Sequence, residues 1–403
     1  MECESSLTQV DQSGLYALKN REQALARALF MFSGEVDTEF QIQGQSKRIH
    51  LLILCPNLDV AKQLTNIASK YGDLSSDGRP KLHVAPPELV EAIMEIDPWN
   101  EVIPAHIWTP FFSLFGSRSG FDKIEECFED RTCRIHALET GLSSDPAMNW
   151  RLSTLDRFAL VSNSDSHSPW PYRLGREANV FELPEVSYKQ VIDAIRRKDS
   201  GKFLMTIETD PCYGKYHYTG HRNCDVWLSP SESRKYSDIC PVCKKKLTVG
   251  VLDRVVKLAD RAEGYRPEGA IPYISLIPLQ EVISSALGVK EVFAKSVWEE
   301  YNMLLKRFPN EFHILLEATR KEISSASSER IADAVIRVRE GRIKFRPGYD
   351  GLYGQPIIFE DNAIQVEHKR QFDEEKKEKT KKSETEFNER PKPTDQRSLS
   401  DYL

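Results

Sequence analysis

His221-Arg-Asn-Cys224 is followed, sixteen residues after its cysteine, by Cys240-Pro-Val-Cys243. Each pair has two residues between its members. That spacing lets one turn of chain aim two side chains at a single ion, and two such turns close a tetrahedron of nitrogen and thiolate ligands. The surrounding stretch, GKYHYTGHRNCDVWLSPSESRKYSDICPVCKKKLTVGV, is rich in turn residues and poor in apolar pattern. A segment of this kind needs a metal to hold it. A structural zinc on His221, Cys224, Cys240 and Cys243 is therefore expected, with Cys212 or His217 as alternatives to His221.

A second set of candidate ligands lies earlier. Ser164-Asp165-Ser166-His167 follows the apolar run FALVSN. An Asp and a His two apart at a strand end point the same way and can share one metal. His106 follows another apolar run, VIPA. His50 reads as the start of a strand and Glu35 as the end of one, FMFSGE; Glu139 follows Ile135-His136-Ala137-Leu138 in the same manner. Histidines and carboxylates at successive strand ends are what a metal site on the open face of a barrel needs. His83, His136, His313 and His368 lack this setting and read as surface or core histidines.

The elements that must position these residues follow from periodicity. KRIHLLILCP and FALVSNSD read as strands, DVAKQLTNIASKYG and PELVEAIMEI as amphipathic helices. Their alternation argues for an α/β layer or barrel over residues 1–205. Residues 206–250 hold the zinc pairs. Residues 251–362 are mainly helical in pattern (VLDRVVKLADRAEG, LQEVISSALG, KEVFAKSVWEEYNMLLKRF, SERIADAVIRVREG), then a strand, a Gly-rich turn and a strand in IKFRPGYDGLYGQPIIF. Residues 363–395 are a charged linker expected to be disordered or a frayed helix.

Bulk properties bound the function. The 403 residues are 40% hydrophobic and 29% charged, with a net charge of −6, so the whole chain is not a basic nucleic-acid binder, though local basic patches remain open. No apolar run is long enough to span a membrane. The N-terminus, MECESSLTQVDQSG, is not a signal peptide. Eight cysteines with zinc spacing among them suit a reducing cytoplasm.

The ordered motifs PAHIWTPFFSLFGSRSGFD, ALETGLSSDPAMNWRLS, VSNSDSHS, LGREANVF, KYHYTGHRNC, CPVC, RPEGAIPYISLIPL and RPGYDGLYG resemble the endonuclease Q family, over about residues 15–360. That family belongs to the polymerase-and-histidinol-phosphatase (PHP) phosphoesterases. The resemblance implies a PHP-type (β/α) barrel, a small zinc-binding module and a helical module that together grip DNA. It implies nicking on the 5′ side of uracil, hypoxanthine, xanthine and abasic sites. By resemblance, Glu35, His50, His106, Asp165 and His167 fall on active-site metal positions, with His106, Asp165 and His167 catalytic and Glu139 a further candidate. The ions would be zinc, manganese or magnesium. The family pattern opens with a His-x-His strand, whereas no histidine here precedes His50. The PHP domain is thus expected to be incomplete at its N-terminus, and nicking by this chain to be weak or absent. The rival readings are a non-catalytic damage sensor of the same family and a small-molecule phosphatase; the latter would need no zinc pair or helical module.

Taking a deaminated base out of the stack requires a pocket. Trp108–Phe112, Ser143–Asp145 and Tyr349–Gly351 are candidates to line it. Lys215, Arg222, Lys244–Lys246, Arg173 and Arg176 are candidates for phosphate contacts. At the extreme C-terminus, Gln396, Leu399, Tyr402 and Leu403 resemble the clamp-binding peptide, in residues 396–403. Its aliphatic and aromatic members would fill an apolar pocket on a sliding clamp (PCNA), which suggests an archaeal host.

Overall fold

The computed structural model describes residues 6–19, 28–75 and 78–359. The charged linker 363–395 and the clamp-type peptide 396–403 lie outside the described residues. Strands β1 (Leu7–Val10) and β2 (Leu15–Leu18) form a short hairpin. A longer antiparallel hairpin follows, β3 (Phe32–Ile42) and β4 (Gln45–Cys55), with Ile42 opposite Gln45. The two turn residues, Gln43 and Gly44, have φ of 49° and 76°. Two positive φ angles match the twist of the flanking strands, which is what a two-residue hairpin turn requires.

β5 (Lys81–Leu82) joins β3 in parallel and β6 (Glu101–Pro104) joins β4 antiparallel, giving the order β5-β3-β4-β6. β7 (Ala137–Glu139) and β8 (Ala159–Val161) pair in parallel. β9 (Ala178–Phe181) lies antiparallel to β10 (Phe203–Glu208), whose other edge takes the parallel strand Tyr273–Ser275. Single hydrogen bonds tie the sheet ends together: Ala105 N to His50 O (3.0 Å), Ile107 N to Glu139 O (3.1 Å), Thr140 N to Val161 O (3.0 Å) and Ser162 Oγ to Ile207 O (2.7 Å). The middle of β4 and the ends of β6, β7, β8 and β10 are therefore neighbours. The opening hairpin is antiparallel, however. The expectation that Glu35 ends a strand and His50 begins one is corrected: both lie within strands, because β3 and β4 run on past them to the Gln43-Gly44 turn.

Helices Leu58–Ala68 and Pro86–Ile96 cover this sheet, the first capped by the Asn57 side chain on Val60 N, the second opened by prolines. Leu89, Val90 and Ile93 enter a core with Ile49, Leu51, Trp108 and Phe115. Val251 and Val255 belong to that same core, and buried Arg254 donates to the carbonyls of Phe115 and Phe121. Helix Val251–Leu258 thus packs on the first zone, although its sequence reads as the start of the helical region.

Helices Leu279–Leu287, Lys295–Leu305, Glu311–Leu316, Arg320–Ala326 and Glu329–Arg339 surround a separate core of Val282, Ile283, Leu304, Ile331 and Val335. Their starts are chemically marked. Thr319 and Glu322 form a capping box, and Asn310 and Ser328 cap theirs. Arg339 donates to the carbonyls of Ile314, Leu315 and Ala318, closing the C-terminal end of Glu311–Leu316. Among the described residues, no helix is long and apolar enough to cross a membrane.

Candidate active site and metal-binding groups

Strand register brings Glu35 and His50 together. Glu35 faces Leu52, so His50 is its diagonal neighbour on the same face. Directly opposite His50 stands Asp37, whose carboxylate is taken up by Arg48. His106 arrives from the end of β6 with φ of 32°, a left-handed conformation. It passes so close to Gly141 that a Cβ there would meet His106 Cβ at 2.7 Å, so only glycine fits. The His106 backbone amide donates to Glu139 Oε2 (2.8 Å), and Asn163 donates to Glu139 Oε1 (2.8 Å). Both oxygens of buried Glu139 are thereby used, and it holds His106 in place.

The result is a convergence of three ligand atoms. His50 Nδ1 and His106 Nε2 are 3.0 Å apart, and each is 3.4 Å from Glu35 Oε1. Glu35 Oε1 is buried yet makes no hydrogen bond of proper geometry. A buried carboxylate oxygen converging with two imidazole nitrogens is the arrangement a metal ion resolves. Thr109 Oγ1 lies 3.1 Å from His106 Nδ1, which fixes the ring with Nε2 turned inward. Burial, then the charges of His106, Arg79 and Arg48, push the His50 imidazole down to about 2. Burial opposes charge on His106, but contact with Glu35 and the nearby carboxylates of Glu139 and Asp165 outweigh it and hold its pKa above the ordinary histidine value.

Asp165 and His167 lie on the loop after β8, Asp165 with φ of 42°. Arg176 holds this loop through Ser164 O, at 3.0 Å from Nε and 2.6 Å from Nη2. Arg176 is buried and so engaged, which corrects its reading as a phosphate contact. His167 is 68% exposed, with Nδ1 3.1 Å from Asp165 O and 3.6 Å from Asp165 Oδ1. Glu35, His50 and His106 form one candidate metal group; Asp165 and His167 stand beside it. What joins them is Arg79, a residue with no motif or spacing to mark it in the chain. Its Nη1 is 2.8 Å from His50 Nδ1, its Nε 3.0 Å from Glu35 Oε1 and its Nη2 3.3 Å from His167 Nε2.

Below the site lie two more carboxyls. Burial, then the charge of Glu208, raises Glu177 well above the usual carboxylate range. Burial pushes Glu208 up to about 8 despite hydroxyl donors on Thr206 (2.6 Å) and Thr140 (2.9 Å). The folded chain therefore keeps a proton that the unfolded chain releases above its ordinary value of 4.5. Stability from this source is present at low pH, declines as pH rises, and levels off above the folded value. We expect this contribution to lower the melting temperature between about pH 4.5 and about pH 8. Glu208→Gln, which cannot ionise, should flatten part of that fall; an unchanged slope in the variant would assign the dependence to other groups.

The second candidate group is His221, Cys224, Cys240 and Cys243, with all four ligand atoms within 4.8 Å of one another. Cys212 and His217 are not part of it. His221 ends strand Thr219–His221, which pairs with Val226–Leu228, and Cys224 closes the turn between them. Burial opposes a thiolate at Cys240, but backbone amides of Cys243 and Val242 outweigh it; the Lys245 amide lowers Cys243. Burial and the adjoining thiols raise Cys224 to about 11. Crowded thiols of this kind are relieved when a cation draws them into thiolate form. The knuckle is bolted to the hairpin Lys344–Arg346/Gln355–Ile357 by Asp350, which accepts from Arg222 N (2.8 Å) and Thr248 Oγ1 (2.6 Å).

The base-pocket candidates divide. Trp108 is fully buried and donates to Asn149 Oδ1 (2.7 Å); Ser144 and Tyr349 are also buried; Asp145 caps helix Pro146–Asn149. These are structural positions, which corrects their reading as pocket lining. Phe111 is exposed, and its ring lies 6.1 Å from that of Tyr216. Near the hairpin, Lys215 sits over the exposed ring of Tyr353 (4.7 Å), with Arg173 on the same ring (6.0 Å). Cations and exposed aromatic rings on one face suit a nucleic-acid backbone and its bases.

Comparison with known proteins follows the same lines. Residues 278–342 match the family described as the MJ0043 C-terminal domain, which covers the helices from Leu279 to Arg339. MJ0043 of Methanocaldococcus jannaschii is 35% identical over 266 residues, 64% of this chain. That match spans 32% of the length of MJ0043. YqxK of Bacillus subtilis is 28% identical over 325 residues, covering 79% of this chain and 76% of YqxK. The crystal structure of the lesion-specific endonuclease PfuEndoQ from Pyrococcus furiosus superposes with a TM-score of 0.76 at 29% identity, over 88% of this chain and 83% of that one. Endonuclease Q in complex with a 27-mer duplex bearing an abasic lesion at the active site gives a TM-score of 0.77 at 29% identity, over 89% and 85%.

Proposed function

From this chain's relationship to the endonuclease Q family, we propose that it is a DNA repair endonuclease that hydrolyses a phosphodiester on the 5′ side of a damaged nucleotide. Uracil, hypoxanthine, xanthine and abasic sites are the proposed lesions. The observation that carries the reading is the Glu35–His50–His106 convergence in a chain that superposes on a lesion-bound endonuclease Q. Glu35, His50 and His106 would hold a divalent ion, and His221, Cys224, Cys240 and Cys243 a structural zinc. Three protein ligands leave an open position, as catalytic metal sites do. A divalent ion there supplies charge neutralisation for the phosphate and an activated water.

The chain's own residues do the rest. Thr109 fixes the His106 ring, and Glu139 with Asn163 fixes the His106 backbone. Arg176 presents the Asp165–His167 loop, where exposed His167 is placed to pass a proton to the departing oxygen. Arg79 contributes a permanent positive charge. Lys215, Arg173 and Tyr353 supply a face for the duplex. Extrusion of the lesion costs least where pairing is already damaged, which favours deaminated and abasic positions.

Nicking of end-labelled duplexes carrying uracil, hypoxanthine or an abasic site, against matched undamaged duplex, tests the reading. Weak cleavage, confined to the lesion strand, is expected, because no histidine precedes His50 to complete the metal site. Selective binding without cleavage would favour the damage-sensor alternative. The terminal peptide is proposed to tether the enzyme to a sliding clamp of the PCNA type. Removing residues 396–403 should abolish clamp retention in a pull-down; equal retention by both forms would end that idea.

A further inference from the structure

The Glu35–His50–His106 group and the Asp165–His167 pair meet at a guanidinium. Arg79 Nη1 is 2.8 Å from His50 Nδ1, Nε is 3.0 Å from Glu35 Oε1, and Nη2 is 3.3 Å from His167 Nε2 and 3.9 Å from Asp165 Oδ1. Of the expected active-site ligands, all but His106 touch it. We propose that Arg79 takes the place of a second metal ion: one divalent cation binds on Glu35, His50 and His106, with Arg79 Nη1 yielding His50 Nδ1 to it, and Arg79 Nη2 stays as the cation that bridges to Asp165 and His167.

Three observations support this. First, metal–ligand bonds near 2 Å put ligand atoms of one ion roughly 3–3.5 Å apart. Glu35, His50 and His106 meet that spacing with each other. The polar atoms of Asp165 and His167 meet the guanidinium instead. Second, Arg79 cannot withdraw far. It precedes Pro80, whose carbonyl accepts from Asp37 N (3.0 Å) on β3, so its backbone is pinned beside the site. Third, a guanidinium does not lose its proton in proteins, so Arg79 supplies a positive charge beside Asp165 and His167 at any working pH. The planar fork also suits the non-bridging oxygens of a phosphodiester, which on the nuclease reading is the group placed beside it.

Manganese(II) is the probe, because carboxylate and imidazole ligands accept it while the thiolate group favours zinc. The protein carrying zinc at its cysteines is titrated with manganese(II), and bound ion is counted by mass spectrometry and electron paramagnetic resonance. Wild type should take up a single manganese ion and Arg79→Ala two, because Asp165 and His167 are released. Asp165→Asn should keep the single ion and Glu35→Gln should lose it. Two ions on wild type, none on wild type, or the same number on wild type and Arg79→Ala would overturn the proposal. The count does not depend on turnover. A wild type that binds one ion and fails to nick lesion duplex would count against the nuclease reading alone.

Discussion

Replacing Cys240 and Cys243 together with serine is expected to unfold the knuckle around residues 219–248 and to remove most lesion-DNA binding. Between Thr219 and Thr248 the buried apolar side chains are Cys240 and Leu247. Two side chains cannot offset the conformational entropy of ordering such a loop. Coordination of a structural zinc can, contributing an apparent free energy of about 10–16 kcal/mol in isolated knuckles. The damage would spread. Asp350 ties the hairpin to Arg222 and Thr248, and Gly220 packs against the Tyr349 ring, so close that a Cβ would meet Cδ2 at 2.6 Å. Loss of the knuckle would therefore release Tyr353 and Lys215 from their common face. Zinc content, limited proteolysis and fluorescence anisotropy with a lesion duplex check this. Full zinc occupancy and unchanged protease resistance in the double variant would refute the ligand set.

Glu35→Gln and His106→Ala should each abolish nicking while leaving duplex binding intact. Each removes one of three converging ligand atoms, and the residual site holds an ion weakly and aims it poorly. A loss of at least about 10²–10⁴-fold in single-turnover rate is expected, the range associated with a positioned catalytic group. Thr109→Val should cost less, about 10–100-fold, because it frees the ring without deleting the ligand. The contrast separates ligand from support. Equal and mild losses in all three would show that these residues only stabilise the fold, and a matching fall in melting temperature would confirm it.

How far the sequence foretold this site depends on distance along the chain. The knuckle was legible because its four ligands sit in two short pairs, and spacing alone implies convergence. Glu35, His50 and His106 could be gathered only through family resemblance. Glu35 and His50 do not lie at strand ends as expected; they lie inside β3 and β4 and meet through a diagonal register. Glu139 reads as a ligand by type and position, yet both its oxygens are spent on the His106 amide and Asn163. Arg79 was invisible because all of its partners come from other elements. Trp108 and Tyr349 show the converse: aromatic residues in a motif suggested a pocket, and burial assigns them to packing.

On the proposed function, this chain cuts DNA at a lesion through the Glu35–His50–His106 site. One measurement tests it most directly: single-turnover nicking of a duplex with one hypoxanthine, resolved on a sequencing gel, by wild type and His106→Ala supplied with manganese(II). Wild type is expected to give one product, cut on the 5′ side of the hypoxanthine, and the variant none. Nicking at equal rate by both proteins, or cutting by wild type at undamaged positions with the same frequency, would contradict it.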